Sequence, residues 1–468
     1  MFIGREKELR VLNKMFTSNR FEMPIIYGRR RIGKTTLIKQ FVKDKRFIFF
    51  TATQAREIDN LMQLTEAIRQ LDGAVKIRGE LRDFRQAFET VGEIAGESNE
   101  PLVFVIDEYP YLANADASIS SVLQSVIDHI YLELPNLMLI LSGSSMSFME
   151  KQVLGYESPL YGRRTGQLKI ERLTPWEARM FFPQMRKDEF LTIYGMTAGI
   201  PLYLGMMNEK LSLKENIIEN FFTTNTFLFE EPDNFLKQEL KNPMNYRSII
   251  KAIAEGSSKF NTIATKTKMA PSSLDGSLSD LMELGIIEKK WPLGNTNKNA
   301  AIYRIADGLF AFWYTFVPSN MVLIESDKQD LIWQSMQEKL TMFTSKVFEA
   351  FCASWLKRKN GEGLFTMIIS EIGQWWGKDP NLHQSTSVEH EIDILAFGQN
   401  KREIIVGECK WRKDAVGIDV LEQLLERATF FNRPQQELFI FSKSGFTKEC
   451  DERAATEGVH LISFEEMI

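Results

Sequence analysis

An α/β architecture is predicted for this 468-residue chain: a parallel sheet first, then a helical lid, a winged-helix segment and a second, C-terminal α/β unit. Three observations predict it. Over the first third, apolar β-rich runs that end in glycine, acid or serine alternate with amphipathic stretches, the pattern of strands buried on both faces of a parallel sheet. Between residues 247 and 305, three short helical patterns are followed by a hairpin pattern. Near the C-terminus, two alternating runs flank the polar turn Gly398-Gln399-Asn400-Lys401.

The first strand, Ile25-Ile26-Tyr27, runs into Gly28-Arg29-Arg30-Arg31-Ile32-Gly33-Lys34-Thr35-Thr36, a complete GxxxxGK[ST] loop that opens an amphipathic helix. Gly28 and Gly33 let the backbone turn its N–H groups inward around a phosphate, and the helix directs its positive end at the same anion. Lys34, read as a solvent-facing loop lysine, reaches the outer phosphates, and Thr35 offers a hydroxyl to Mg²⁺. The whole run from Gly28 to Thr36 is therefore assigned to a nucleotide. A second strand, Leu102-Val103-Phe104-Val105-Ile106, ends in Asp107-Glu108, in the manner of a Walker B element. Asp107 is expected to orient Mg²⁺ and Glu108 to polarise the attacking water, which separates metal binding from base chemistry. A third strand, Leu137-Met138-Leu139-Ile140-Leu141, ends in Ser142-Gly143-Ser144-Ser145. Ser142 is the expected γ-phosphate sensor, with simple capping by serine as the bland alternative. In the polar loop Tyr161-Gly162-Arg163-Arg164, one arginine is expected to stabilise phosphoryl charge in cis or in trans; a solvated loop arginine is the competing reading.

Composition bounds the partners. At net charge −5 and a pI near 5.7, no global basic field draws the chain to nucleic acid, so any such contact needs a local patch. The charged opening MFIGREKELR is no secretory signal, and no long apolar run suggests a membrane span. Cys352, Cys409 and Cys450 are too widely spaced for a disulfide framework or a zinc site, so a reducing cytoplasm is expected. The length suggests about three domains.

Phe2-Ile3-Gly4-Arg5-Glu6, then GRRRIGKT, LVFVIDE, LILSGSS, LYGRRTG and Ala198-Gly199-Ile200-Pro201 resemble, in that order, the archaeal-type ATPases of the AAA+/STAND group. The resemblance implies ATP as ligand and places Gly4, Arg5 and Pro201 near the adenine, although AGIP stands where that family usually has GGIP. The lid is expected to begin at Thr174-Pro175-Trp176-Glu177, where Thr as N-cap, Pro at N1 and Glu at N3 spell a helix start.

In the winged-helix segment the third helix starts at Pro271, buries Leu274, Leu278, Leu281 and Leu284, and stops at Gly285. A DNA-reading helix would carry basic or amide side chains there; this one offers Asp275, Asp280 and Glu283, so a packing or regulatory role is expected. The following Phe310, Phe312, Trp313, Tyr314 and Phe316 are expected in a core.

Glu391-Ile392-Asp393-Ile394-Leu395 and the run Glu403 to Trp411 read as a hairpin whose register decides the chemistry. A two-residue loop pairs Asp393 with Val406 and a four-residue loop pairs it with Glu408; either leaves Asp393, Glu408 and Lys410 on one face, whereas an odd loop separates them. Two carboxylates and a lysine on one face suit Mg²⁺, with Lys410 activating or orienting water. This arrangement resembles the PD-(D/E)XK nuclease superfamily, and Ile372-Gly373-Gln374-Trp375-Trp376-Gly377 resembles the domain often fused to archaeal-type ATPases. The resemblance adds Glu349 on a helix as a metal ligand, and Gln423 as a contact to backbone or water. A charged, solvated hairpin face is the bland alternative. Lys401, Arg402, Lys410, Arg412 and Lys413 make the region locally basic, as phosphate contact requires.

The expected organisation is thus an ATPase core at 1–172, a lid at 173–240, a winged helix at 241–320 and a nuclease-like domain at 321–468, with ATP and Mg²⁺ as cofactors. The expected function is nucleotide-gated DNA binding or cleavage, with DNA as partner, no membrane contact, and homo-oligomerisation left open. The alternative is an ATP-driven switch whose nuclease-like domain is a non-catalytic scaffold.

Overall fold

The computed structural model describes residues 2–71, 79–295, 297, 300–378, 389–399, 402–431 and 433–468. Two compact units result: Met1–Leu173 with Ile200–Leu202, and Thr174–Gly199 with Tyr203–Ile468. Among the described residues no helix is long and apolar enough to cross a membrane.

The first unit is built on β1 (Pro24–Tyr27), β2 (Arg46–Thr51), β3 (Leu102–Asp107), β4 (Leu137–Gly143) and β5 (Gly166–Lys169), all parallel, in the order β2-β3-β4-β1-β5. The inner strands β1, β3 and β4 are buried at every position, which is why they read as continuous apolar runs. The edge strands β2 and β5 keep exposed positions. Helix Phe84–Gly96 is capped by Asp83, whose side chain accepts from the Gln86 N–H. Its Phe88 packs on Phe104 of β3, and the Tyr131 hydroxyl donates to the Phe88 carbonyl at 2.7 Å. Each such fully buried apolar side chain contributes about 1.5–3 kcal/mol.

The second unit opens with helix Pro175–Arg179, started by a reciprocal Thr174–Glu177 capping box as its sequence spells. Three helices, Pro243–Ala254, Phe260–Thr267 and Pro271–Glu283, close around Ile249, Ile250, Ile263, Leu274, Leu278 and Leu281. The antiparallel pair β6 (Ile287–Lys290) and β7 (Ile302–Ile305) follows. Gly285 takes φ 67° between the third helix and β6, a conformation open to glycine at little cost. Phe310, Phe312 and Phe316 of helix Gly308–Phe316 are buried, as expected.

The C-terminal sheet has the order β12-β11-β10-β9-β8, with β8 (Ile369–Lys378), β9 (Glu389–Gly398), β10 (Glu403–Lys410), β11 (Gln435–Ser442) and β12 (Val459–Ser463). The β8–β9 and β9–β10 pairs are antiparallel; β10–β11 and β11–β12 are parallel. Helix Gln337–Lys359 packs Phe348, Phe351 and Cys352 on Ile405, Cys409 and Phe439. Helix Ile418–Ala428 packs Val420, Leu421 and Leu424 on Ile404, Val406 and Ile440. The sheet is therefore covered on both faces.

The β9–β10 ladder pairs Phe397 with Ile404 and Ile394 with Gly407, so the connection is the even, four-residue 399–402. Asn400 and Lys401 lie outside the described residues.

Two glycines of the second unit separate packing from propensity. A Cβ on Gly308 would sit 1.7 Å from the Gly195 carbonyl oxygen, so Gly308→Ala should cost about 1–3 kcal/mol by overpacking. Gly276, exposed within helix Pro271–Glu283, has no atom within 4 Å of an added Cβ. Gly276→Ala should therefore stabilise by about 0.5–1 kcal/mol through helix propensity. Denaturation midpoints shifting in opposite directions are the expected result; shifts of equal sign would contradict the packing described.

Candidate functional site

In the first unit the GxxxxGK[ST] loop leaves β1 at Gly28, where an added Cβ would lie 2.6 Å from the Ile170 carbonyl oxygen. Only glycine allows that approach. Arg31 takes φ 69° and Gly33 φ 92°, the latter as N-cap of helix Lys34–Val42, so the loop closes back on the helix start. Lys34 departs from the solvent-facing side chain expected: it is 5% exposed, and its Nζ donates to the Gly28 carbonyl at 2.9 Å and the Arg29 carbonyl at 3.2 Å. The reason is local. An ammonium at a helix start needs acceptors, and the loop's own carbonyls are nearest. Thr35 Oγ1 donates to Asp107 Oδ2 at 2.7 Å, joining the loop to the end of β3. A hydroxyl and a carboxylate side by side are the oxygen ligands a hard octahedral cation takes, so the residues present fit Mg²⁺. Arg30 donates to the Tyr111 hydroxyl. Thr36 is exposed.

Arg5 is 5% exposed and in the left-handed region, and its Nη2 donates to the Ile32 carbonyl at 3.2 Å. The FxGRE arginine is thereby fixed on the phosphate loop, with Gly4 before it at φ 70°. On the other side, the Pro201 ring lies 3.8 Å from where a Gly33 Cβ would be.

Glu108 also has positive φ, 53°, a strained conformation that costs about 1–2 kcal/mol. Its Oε2 accepts from the Ser144 hydroxyl at 2.7 Å and the Ser144 N–H at 3.2 Å. Ser142, the expected sensor, lies inside β4 opposite Ile26, fully buried, and its hydroxyl has no hydrogen-bond partner among the described residues. Sequence reasoning missed Ser144, since the SGSS run does not say where the strand stops. Arg163 grips Asp128 through two bonds of 2.8 and 3.0 Å, which hold that carboxyl below its usual range. Arg164 donates to the Leu154 carbonyl at 2.8 Å. The described partners of both arginines thus lie outside the phosphate loop.

In the second unit, the β9–β10 register continued one step sets Asp393 opposite Glu408, but β9 slips against β8 between Gly373/Leu395 and Trp375/Ile392. The bulge releases Asp393 from the ladder, and its Oδ2 accepts the Cys409 N–H at 2.8 Å. Glu408 is 3% exposed, with Lys410 on Oε1 and Arg427 Nη1 on Oε2 at 2.7 Å. Glu349 accepts from Gln374 Nε2 at 2.9 Å. Burial, then repulsion from Glu408 and Glu349, pushes the Asp393 carboxyl up to about 8. Burial, then Glu391, pushes Glu349 up to about 7. Gln423 is exposed; Arg427, one turn further along the same helix, touches the cluster, and only helical spacing from the buried Val420 and Leu424 could have singled it out. Among the described residues, no three of His, Cys, Asp and Glu converge closely enough to hold a metal as they stand. Mg²⁺ needs only one or two carboxylates and keeps its waters, so Asp393 with Glu408 remains a fitting pair.

Lys34→Ala should weaken ATP binding by about 10- to 100-fold, the scale of one hydrogen bond to a charged group; unchanged affinity in an equilibrium titration would remove the loop assignment. A pH prediction follows from the raised carboxyls. Both bind protons more tightly folded than unfolded, so in chelator the chain is most stable below about pH 4 with respect to these groups. It loses that contribution as pH rises through about 7 and about 8. Asp393→Asn should flatten this fall in denaturation midpoints, and a variant with the wild-type slope would show that Asp393 is not strained by its neighbours.

Residues 2–207 match a family described as an ATPase domain predominantly from Archaea, residues 247–289 one described as bacterial regulatory proteins of the arsR family, and residues 313–423 one described as archaeal and bacterial proteins of unknown function. A Walker-type ATPase of Pyrococcus abyssi shares the fold, with TM-score 0.52 and 21% identity over 67% of this chain and 96% of that one. An uncharacterized ATP-binding protein of Methanocaldococcus jannaschii is 46% identical over 46 residues, 10% of this chain and 78% of that protein. An uncharacterized protein of the same organism is 31% identical over 413 residues, 88% of each chain. This chain belongs to one family with that protein, and its residues 2–207 are a P-loop ATPase domain of the predominantly archaeal kind.

Proposed function

We propose that the chain couples Mg²⁺-dependent ATP hydrolysis to action on DNA by its C-terminal domain. In the ATPase, Lys34 and the N–H groups of residues 29–33 would hold phosphate, Thr35 and Asp107 would hold Mg²⁺, and Glu108, once released by Ser144, would polarise the attacking water. Mg²⁺ supplies neutralisation of developing phosphoryl charge. Assistance in trans by Arg163 or Arg164 requires a second copy and, for Arg163, release from Asp128. A reducing cytoplasm suits the three buried thiols Cys352, Cys409 and Cys450.

The observation that carries the nuclease reading is the bulged Asp393, presented with Glu408, Lys410 and Glu349 in one buried cluster. Asp393, Glu408 and Glu349 would hold a divalent cation there, with waters completing its shell, Lys410 would orient water, and Arg412 and Lys413 would meet the phosphate backbone. One observation favours the scaffold reading instead: Glu408 is gripped by both Lys410 and Arg427, which competes with a cation for it.

Two measurements test these readings. Glu108→Gln should retain ATP binding and slow hydrolysis by about a hundredfold or more, the scale of a lost general base; wild-type turnover would move that role elsewhere. Asp393→Ala should abolish Mg²⁺-dependent cleavage of DNA assayed in several forms, with and without ATP, while DNA binding persists because a negative charge has left the phosphate site. If the wild type cleaves no form, the switch reading stands.

A further inference from the structure

The hairpin of the winged-helix segment does not stand clear of its surroundings. Just past β6, the Leu293 N–H donates to the Gln374 carbonyl at 2.8 Å, and Leu293 packs on the apolar cluster beneath β8 and β9. Gly294 takes φ 77°, and an added Cβ would lie 3.0 Å from the Phe397 ring. On β7, Arg304 lies opposite Glu288, pairs with it, and extends Nη1 to Gln374 Oε1 at 2.7 Å. The other end of the same amide, Nε2, donates to Glu349 Oε2 at 2.9 Å. Gln374 is therefore gripped at its backbone by Leu293 and at its side chain by Arg304, and it presents a fixed N–H to the helical carboxylate.

An amide rotates freely about its last bond unless both ends are engaged. Arg304 fixes which end is oxygen, because a guanidinium only donates, and this leaves the NH₂ for Glu349. A flipped amide would set oxygen against carboxylate. The chemistry of the pair thus selects one orientation, and the selecting group belongs to the winged helix.

We infer that the β6–β7 hairpin is a docked element that positions Glu349 through Gln374, and not a wing free to lie along nucleic acid. This rests on the reading of the Glu349, Asp393 and Glu408 cluster as a divalent-cation site. Arg304 and Gln374 are positioning residues: neither would ligate the cation, and both set Glu349, a carboxylate that would. The acidic third helix agrees, since a segment whose wing is occupied by its own chain has no need of a basic reading helix.

The test uses the full chain without nucleotide, titrated calorimetrically with Mn²⁺, and with Asp393→Ala as the reference for loss of the site. Gln374→Ala should weaken Mn²⁺ binding by about 10- to 100-fold, the usual effect of removing a group that orients a ligand. Arg304→Ala should weaken it by about tenfold on the same scale. The double variant should bind no more weakly than Gln374→Ala alone, because Arg304 acts through the amide. Additive losses would mean that Arg304 acts by its charge, and an unchanged Arg304→Ala would remove it altogether; either overturns the inference while the cation site survives. A wild type that binds no Mn²⁺, or an Asp393→Ala variant that binds as well, overturns the cation-site reading and the inference with it. Docking has its own readout, independent of metal: the Leu293 amide should be protected from hydrogen exchange, and exchange at the rate of an exposed loop would overturn the docking itself. A far-UV circular dichroism spectrum and a cooperative denaturation transition like those of the wild type check that the second unit remains folded in each variant.

Discussion

Strand register is the constraint on which both units depend, because it sets Asp107, Glu108 and Ser144 at or just past the ends of buried strands and holds Asp393 across from Glu408 in the C-terminal sheet. β3 and β4 carry apolar side chains at nearly every position, so neither strand can slip without burying a charge or exposing a core face. That immobility puts Asp107 at the last residue of β3, where Thr35 can reach it, and Ser144 just beyond β4, where it meets Glu108. The loop glycines do the complementary work. Gly28 permits contact with the Ile170 backbone and Gly33 opens the helix, so the cradle has its shape before any phosphate arrives.

The parts legible in the sequence are those fixed by local spacing. The phosphate loop, the capping box at Thr174 and the third helix from Pro271 depend on neighbours a few residues away, and a sequence displays these directly. Lys34 was not legible in the same way. Its burial follows from the loop carbonyls folding over it, a property of the closed turn. The sequence points to Ser142 because the apolar run stops at Leu141, but β4 continues to Gly143, a boundary that the four small residues Ser142 to Ser145 do not mark. The even register of the β9–β10 hairpin was among the readings the sequence left open, but the bulge was not, since it arises against β8, a strand nearly twenty residues away.

Electrostatics separates the members of the C-terminal cluster. Glu408 is buried yet compensated, with a lysine on one oxygen and an arginine on the other. Among the described residues, Asp393 accepts from one backbone N–H and Glu349 from one amide. Neither suffices against desolvation and the like charge nearby, so their carboxyls rise while burial is retained. A cation therefore has most to gain at Asp393 and Glu349, and must compete for Glu408. Had all three been compensated, the cluster would read as an ion-pair network; the imbalance makes it read as a site.

The same comparison explains why a winged helix with an acidic third helix persists in this chain. Its three-helix core buries Leu274, Leu278 and Leu281, and Asp280 of the third helix accepts from the Tyr246 hydroxyl of the first at 2.6 Å, so an acid on that face serves packing and the fold places no demand there for a basic residue. Its hairpin, by contrast, spends its polar groups on Gln374, through the Leu293 N–H and the Arg304 guanidinium. A motif suited to reading DNA is here turned inward, and its chemistry is directed at one amide. Because that amide has a single orientation compatible with both Arg304 and Glu349, movement of the hairpin reaches the carboxylate cluster as the loss of a specific hydrogen bond. A displacement in the winged-helix segment is thereby linked to the state of the cluster by contacts that can each be removed separately.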